Sequence, residues 1–316
     1  MDTEELLVPC PFPDRANPLG PAAAEYVRQV ATEIGLTGSA SSAVLHGMAL
    51  GDAAALTYPD APLERLRVAT LWIAFLVLFD DAWSDLLELE GGWRERVLAK
   101  HDAIHAVLDG RPAPTDDPLL RVLHRILTDI GRVDPGWDTG RLRLEIRRYL
   151  AGTLWELDQR ARGRIPDLVP YLEMRRVFST MGVQRELGYF VWEMALPEAV
   201  RTHPCLRLVD VVVADYGCVA NDLYSLAVER GHGVTSNIVT VLQHEYGWDE
   251  AAATAHAVRL AAQALDTFHD VRTDPARFGL PVEANLLRYF THYEAFMSAA
   301  VRWPARSARY RAGLAE

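Results

Sequence analysis

The sequence predicts an all-α fold, because apolar residues recur at i, i+3 and i+4 along most of the chain and candidate strands are scarce. Val211-Val212-Val213 is β-branched, but it lies inside a long helical pattern, so we expect a buried helix there. Gly231 and Gly233 follow that helix where a C-terminal stop is expected. No strand precedes this Gly-x-Gly, so it is not a nucleotide-binding loop. The predicted helices, in chain order, are 21–35, 62–88, 93–109, 118–130, 138–161, 168–195, 206–230, 249–273 and 282–300.

Composition restricts the class of protein. The chain has 316 residues, half of them hydrophobic, which is enough for one large core or at most two ordinary domains, and no stretch has the composition of a flexible linker. A net charge of −11 argues against nucleic acid or an anionic membrane as partner. Three widely spaced cysteines, Cys10, Cys205 and Cys218, argue against a disulfide framework. Because no linker is evident, we expect a single domain over 1–316. Because no secretory signal is evident, we expect it in the cytoplasm.

The predicted helix at 206–230 carries the most informative motif. Asn221, Ser225 and Glu229 follow one another at four-residue steps, which places them within about 40° of one helix face per step. A carboxamide, a hydroxyl and a carboxylate are hard oxygen donors that suit Mg²⁺. Taken alone, the same pattern also fits a solvated helix face, so a second cluster is needed to favour a metal site.

That second cluster ends the most apolar run of the chain, Val68 to Phe79. The run is hydrophobic on every face and too short to span a bilayer, so it predicts a core helix. Asp80, Asp81 and Asp85 follow it directly. Carboxylates at the end of a buried helix are costly unless they are protonated, paired or bound to metal. Emergence into bulk solvent is the alternative interpretation.

Together these motifs resemble the class I terpene synthases of bacterial type, over nearly the whole chain. Arg175 lies 46 residues before Asn221, the spacing at which that family places a diphosphate-sensing arginine. The shared features, in chain order, are Pro11-Phe12-Pro13, Asn17-Pro18, Tyr58-Pro59, Asp80-Asp81, Trp155-Glu156, Pro166, Tyr171, Arg175-Arg176, the Asn/Ser/Glu triad, Trp303 and Arg309-Tyr310.

The resemblance implies one helical domain around a deep apolar active-site cavity, with the N-terminal segment 1–20 packing over it. It implies a carbon–oxygen lyase that ionises an acyclic isoprenoid diphosphate, cyclises the carbocation and releases diphosphate. Farnesyl diphosphate is the default substrate, and geranyl and geranylgeranyl diphosphates are the alternatives. A homodimer is the assembly that the resemblance suggests, and membrane insertion is not expected.

The resemblance also assigns roles to residues. Three Mg²⁺ ions are expected, with Mn²⁺ as the alternative metal. Asp80 would bridge two ions, and Asn221, Ser225 and Glu229 would hold the third. Asp81 and Asp85 complete the acidic motif, although Asp81 could instead pair with Arg309 and Asp85 could bind through water. Arg175, Arg309 and Tyr310 would donate to the diphosphate, and Arg176 is expected to be a bystander.

A carbocation also needs unreactive walls, and aromatic faces attract positive charge by about 0.5–2 kcal/mol per contact. The candidate wall residues, each of which could instead be plain core packing, are Phe75, Phe79, Phe178, Trp192 and Trp303. Ser179 stands where the family has a small residue whose carbonyl faces the reacting carbon.

Two positions depart from the family pattern. Val228 replaces a lysine that commonly contacts diphosphate, and Phe178 replaces a polar residue that would hydrogen-bond the sensor arginine. These departures keep a non-catalytic diphosphate-binding protein among the alternatives. A chain-elongating prenyltransferase is the other alternative, but it would typically carry a second Asp-rich motif in place of the triad.

Overall fold

The computed structural model describes residues 7–36, 49–87, 91–114, 116–231 and 234–307, and it describes side chains within these ranges except at 80–87. These residues form helices and loops without a β-strand, which confirms the all-α prediction. The helices are α1 (Gly20–Glu33), α2 (Leu50–Thr57), α3 (Leu63–Leu87), α4 (Trp93–Leu108), α5 (Pro118–Val133), α6 (Gly140–Ala161), α7 (Leu168–Phe178), α8 (Met181–Val191), α9 (Glu198–Arg201), α10 (Pro204–Gly231), α11 (Ile238–Tyr246), α12 (Glu250–Thr273) and α13 (Ala284–Arg306), with a 3₁₀ turn at Pro275–Phe278.

The predicted helix at 168–195 is wrong in one respect, since the chain breaks it into α7 and α8. Thr180 adopts a left-handed conformation with φ of 66°, which a β-branched residue rarely takes. Close packing accompanies the break: a Cβ atom added to Gly152 would lie 3.0 Å from the backbone nitrogen of Phe178. The absence of that Cβ lets α6 approach the end of α7 closely.

The chain forms two compact units. The N-terminal unit comprises Ala16–Arg147, and the C-terminal unit comprises Met1–Arg15 with Arg148–Glu316. In the N-terminal unit, α3 packs against α1, α2, α4 and α5. Its residues Trp72 and Phe75 are fully buried, which confirms the predicted core helix. Asn17 is buried beside this core, and its amide donates to the carbonyls of Tyr58 and Ala61 at 2.9 and 2.8 Å.

The C-terminal unit is built around α10, which packs against α7, α11, α12 and α13. By length and composition α10 could cross a membrane, but 72% of its most apolar stretch is buried inside the fold, as expected of a core helix. Val212 and Val213 are buried within it as predicted, whereas Val211 is 37% exposed because it lies on the outer face.

Residues 9–13 lie along this unit. Tyr216 of α10 donates its hydroxyl proton to the carbonyl of Pro9 at 2.8 Å. From α13, Arg302 donates to the carbonyl of Phe12 at 2.9 Å and Ser298 to that of Pro13 at 3.1 Å. The Phe12 side chain is buried. Hydrogen bonds and apolar contact therefore fix the segment to α10 and α13.

Candidate metal and diphosphate site

The Asn/Ser/Glu triad lies on one face of α10, as the four-residue spacing predicts. The Ser225 hydroxyl oxygen is 2.7 Å from Oε1 of Glu229 and 2.7 Å from the backbone carbonyl oxygen of Asn221. Its single proton can be donated to only one of these acceptors at a time. The three side chains thus present oxygen donors along two turns of one helix.

Asn237, the residue before α11, holds the other oxygen of the triad carboxylate. Its amide Nδ2 donates to Oε2 of Glu229 at 2.8 Å and to the backbone carbonyl of Asp222 at 2.7 Å. Burial raises the pKa of the Glu229 carboxyl above its ordinary value, and the negative charge of Asp222 raises it further. Arg175 and the hydrogen bonds from Asn237 and Ser225 act in the opposite direction.

Arg175 reaches the triad from α7. Its Nη2 donates to Oδ1 of Asn221 at 2.8 Å and to Oδ1 of Asp222 at 2.7 Å, and its Nε donates to the same Asp222 oxygen at 2.9 Å. Burial by itself would lower the pKa of the guanidinium, but the surrounding acidic groups, Asp222 foremost, together outweigh burial and hold that pKa well above its usual range. The Nη1 group has no hydrogen-bond partner among the described residues.

Asp222 is the centre of this arrangement, and sequence reasoning missed it. Its second oxygen, Oδ2, accepts from the Tyr171 hydroxyl and from the backbone N–H of Ile238, the latter at 2.9 Å. The carboxylate is almost wholly buried. Burial raises the pKa of the Tyr171 phenol well above its ordinary value, and the Asp222 charge adds to the effect. Four hydrogen bonds from three residues, two on α7 and one at the start of α11, therefore converge on one carboxylate.

Phe178 does not hydrogen-bond Arg175, but its ring centroid lies 5.1 Å from the guanidinium carbon. The same ring stacks on Trp155 with a centroid distance of 6.2 Å. The departure at this position therefore replaces a polar contact with a cation–π contact, while Asp222 supplies the hydrogen bonds. Ser179 ends α7, and its hydroxyl lies 3.1 Å from the Cys218 sulfur.

Arg176 points to a separate partner. It donates to both carboxylate oxygens of Asp215 at 2.6 and 2.9 Å, away from the triad. The structure thus brings Arg175 to the triad residue Asn221 and engages its neighbour elsewhere.

The other candidate aromatics are dispersed. Phe75 and Phe79 are buried in α3 of the N-terminal unit, where Phe75 stacks on Trp72 at 5.0 Å. Trp192 and Trp303 are partly buried in the C-terminal unit, at the end of α8 and in α13. The buried indole nitrogen of Trp192 has no hydrogen-bond partner among the described residues. Their role as cavity walls stays a prediction.

The remaining predicted site residues lie outside the described part of the structure. This applies to the side chains of Asp80, Asp81 and Asp85, whose backbone is helical, and to Arg309 and Tyr310. Their roles stay predictions.

The donor set of the triad fits a hard divalent cation. In an Mg²⁺ octahedron, ligand oxygens at about 2.0–2.1 Å from the metal are about 3 Å from one another. The 2.7 Å between Ser225 Oγ and Glu229 Oε1 is close to that spacing. Within the described ranges, no group of three or more His, Cys, Asp or Glu side chains is arranged to hold a metal. The triad is a different kind of donor set, because Glu229 is its only member of these four residue types.

Known proteins match both the sequence and the fold. The family model "Terpene synthase family 2, C-terminal metal binding" matches residues 71–267. The terpentetriene synthase of Kitasatospora griseola is 32% identical over 267 residues, covering 82% of this chain and 84% of that protein. The (+)-T-muurolol synthase of Roseiflexus castenholzii is 28% identical over 258 residues, covering 81% and 78%.

The fold also agrees with that of a solved relative. The crystal structure of germacradien-4-ol synthase from Streptomyces citricolor superposes with a TM-score of 0.78 at 24% identity, covering 97% of this chain and 100% of that chain. The fold and the family match together define a class I terpene synthase of bacterial type. The chain belongs to terpene synthase family 2 and is a carbon–oxygen lyase that binds a divalent metal and acts on isoprenoid diphosphates.

Proposed function

We propose that this terpene synthase ionises farnesyl diphosphate in an Mg²⁺-dependent reaction and cyclises the resulting carbocation. The observation that carries the proposal is the joining of Arg175 to Asn221, which links a candidate diphosphate donor to a candidate metal ligand through one 2.8 Å hydrogen bond. The name of the Roseiflexus relative specifies cyclisation of (2E,6E)-farnesyl diphosphate, which favours the same substrate here.

In the proposed reaction the allylic C–O bond breaks and its electron pair leaves with the diphosphate. Asn221, Ser225 and Glu229 would hold one Mg²⁺ ion, and Asp80, assisted by Asp81 and Asp85, would hold two more. Bound Mg²⁺ supplies Lewis-acid stabilisation of the charge that develops on the leaving group.

The chain's own residues would position and neutralise the diphosphate. Arg175 has its Nε and Nη2 groups committed to Asp222 and Asn221, which leaves Nη1 to donate to a phosphate oxygen. A guanidinium suits this role because it stays charged and its donors have fixed directions. Arg309 and Tyr310 would add further donors, and they would compensate for Val228, which cannot donate.

The carbocation would be enclosed by apolar and aromatic side chains that exclude water. Phe178 is the best supported of these, because its ring already lies beside one cation, the Arg175 guanidinium. Phe75, Phe79, Trp192 and Trp303 would supply other walls, and the Ser179 carbonyl would face the reacting carbon.

The test is to incubate the purified protein and Mg²⁺ separately with geranyl, farnesyl and geranylgeranyl diphosphates, and to analyse the extracts by gas chromatography with mass spectrometry. A cyclic product from farnesyl diphosphate alone is expected. A product from only one of the other two substrates would overturn the substrate proposal. A longer diphosphate formed on addition of isopentenyl diphosphate would instead indicate a prenyltransferase.

Two substitutions test the metal ligands. Asp80→Asn and Glu229→Gln should each abolish turnover while the far-ultraviolet circular dichroism spectrum stays unchanged. Asp215→Asn is the control and should retain activity. Asp215 lies on the same helix as Glu229 but pairs with Arg176. Unchanged product formation in either ligand variant would contradict the metal assignment. Light scattering during gel filtration tests the proposed homodimer, and the cytoplasmic location stays a prediction.

A further inference from the structure

Asn237 caps a helix, but it also makes hydrogen bonds that a helix cap does not need. Its side chain is almost fully buried at 1% exposure, and its Oδ1 accepts from the Val239 N–H at 2.9 Å, which caps α11. A serine or aspartate could make that cap equally well. The amide nitrogen has a second task, since it bridges the Glu229 carboxylate and the Asp222 carbonyl.

This bridge orients the Glu229 carboxylate. Nδ2 of Asn237 donates to Oε2, which turns Oε1 toward the Ser225 hydroxyl, the neighbouring candidate ligand. The donor is neutral, so it orients the carboxylate without competing as a charge for the site. Because Nδ2 is also anchored on the Asp222 carbonyl, the carboxylate is fixed relative to the same helix turn that carries Asn221.

We propose that Asn237 is a positioning residue that holds Glu229 in the orientation needed to bind a divalent cation. The inference rests on the proposed metal role of Glu229. Partners that orient a metal ligand in this way typically contribute roughly 10–100-fold to metal affinity.

The chain provides a closely matched control in Asn17. This residue is also buried, its Nδ2 also donates to two acceptors, and its Oδ1 also accepts from the N–H two residues later, that of Leu19 at 3.0 Å. Asn17→Ser and Asn237→Ser therefore remove comparable structural hydrogen bonds. Only the second removes a donor from Glu229.

The experiment measures binding of Mn²⁺ in the presence of inorganic diphosphate, by the loss of the free-ion electron paramagnetic resonance signal beyond the loss in the same mixture without protein, so turnover plays no part. We expect Asn237→Ser to weaken Mn²⁺ binding roughly 10–100-fold. Asn17→Ser should bind as the parent protein does.

The outcomes separate the two proposals. If the parent protein shows no diphosphate-dependent Mn²⁺ binding, the proposed metal site fails and the role of Asn237 fails with it. If the parent protein binds and Asn237→Ser binds equally well, the positioning role is overturned and the proposed function stands. Equal weakening in Asn237→Ser and Asn17→Ser would also overturn it, since a general loss of stability would then explain both.

Discussion

Arg175 and Arg176 are neighbours on α7, and each donates through Nε and Nη2 to an aspartate of α10. The two pairs differ in burial, and Asp222 accepts two further hydrogen bonds, from Tyr171 and Ile238. The side chains of Arg175 and Asp222 are 11% and 1% exposed, whereas those of Arg176 and Asp215 are 27% and 22% exposed. Replacing each aspartate by asparagine therefore compares similar chemistry in two environments.

Asp222→Asn should be strongly destabilising. The neutral amide would leave the buried Arg175 charge uncompensated. If its Oδ1 still faces Arg175, its NH₂ group lies where Oδ2 now accepts from the Ile238 N–H at 2.9 Å. Breaking a buried pair by removing one charge costs about 3–5 kcal/mol. For Asp215→Asn, at a partly exposed pair, we expect about 0–1 kcal/mol.

Urea unfolding of both variants measures this difference. Circular dichroism and tryptophan fluorescence should be recorded together, because coincident transitions are needed to convert midpoints into free energies. If Asp222→Asn lowers the free energy of unfolding no more than Asp215→Asn does, the reasoning is refuted. The buried pair would then cost no more to break than the partly exposed one.

Three further expectations concern packing, pH and metal. Gly188→Ala would place a Cβ 2.3 Å from His292 Nε2 and should cost about 1–3 kcal/mol in thermal melts, whereas Gly131→Ala meets nothing within 4 Å and should stabilise by up to about 1 kcal/mol. Burial lowers the pKa of His292 from 6.5 to about 3, so the unfolded chain binds a proton that the folded protein does not. Stability should fall by about 1.4 kcal/mol per pH unit between those values as pH decreases, and a His292→Gln variant with an unchanged pH slope would contradict this. Mg²⁺ with inorganic diphosphate should raise the melting temperature, EDTA should reverse the rise, and Glu229→Gln should show a smaller rise; an equal rise would argue against Glu229 as a ligand.

The long helices were predictable because each buries a periodic apolar face. The predicted bounds of α10 differ from the observed ones by two residues at the start and one at the end. The short helices α2 and α11, of eight and nine residues, were missed because so few residues give little periodic signal. The break at Thr180 was missed because the residue with positive φ is a threonine and not a glycine, and the packing of Gly152 against Phe178 joins residues far apart in sequence.

The triad could be found from the sequence because its three members lie on one helix and their spacing matches the helical period. Asp222 could not be found in this way. It follows Asn221 directly, so it is rotated by about 100° from the triad face, and its partners come from α7 and from the start of α11. Asn237 gave one local signal, a cap residue before an apolar run, which explains only its bond to Val239.

The rotation between Asn221 and Asp222 has a structural consequence. Two consecutive residues of α10 accept from one guanidinium, so Arg175 bridges the triad face and the buried face of the helix. Asp222 also receives the first N–H of α11, and its carbonyl anchors Asn237, which holds Glu229. If a bound diphosphate shifts the Arg175 side chain, the hydrogen bond from Arg175 to Asn221 changes directly. The contacts of Glu229 change indirectly, through Asp222 and Asn237. Arg175 and the two ends of the triad, Asn221 and Glu229, are thus parts of one hydrogen-bonded network. A change in one of these residues should therefore be measurable in the metal affinity of the site.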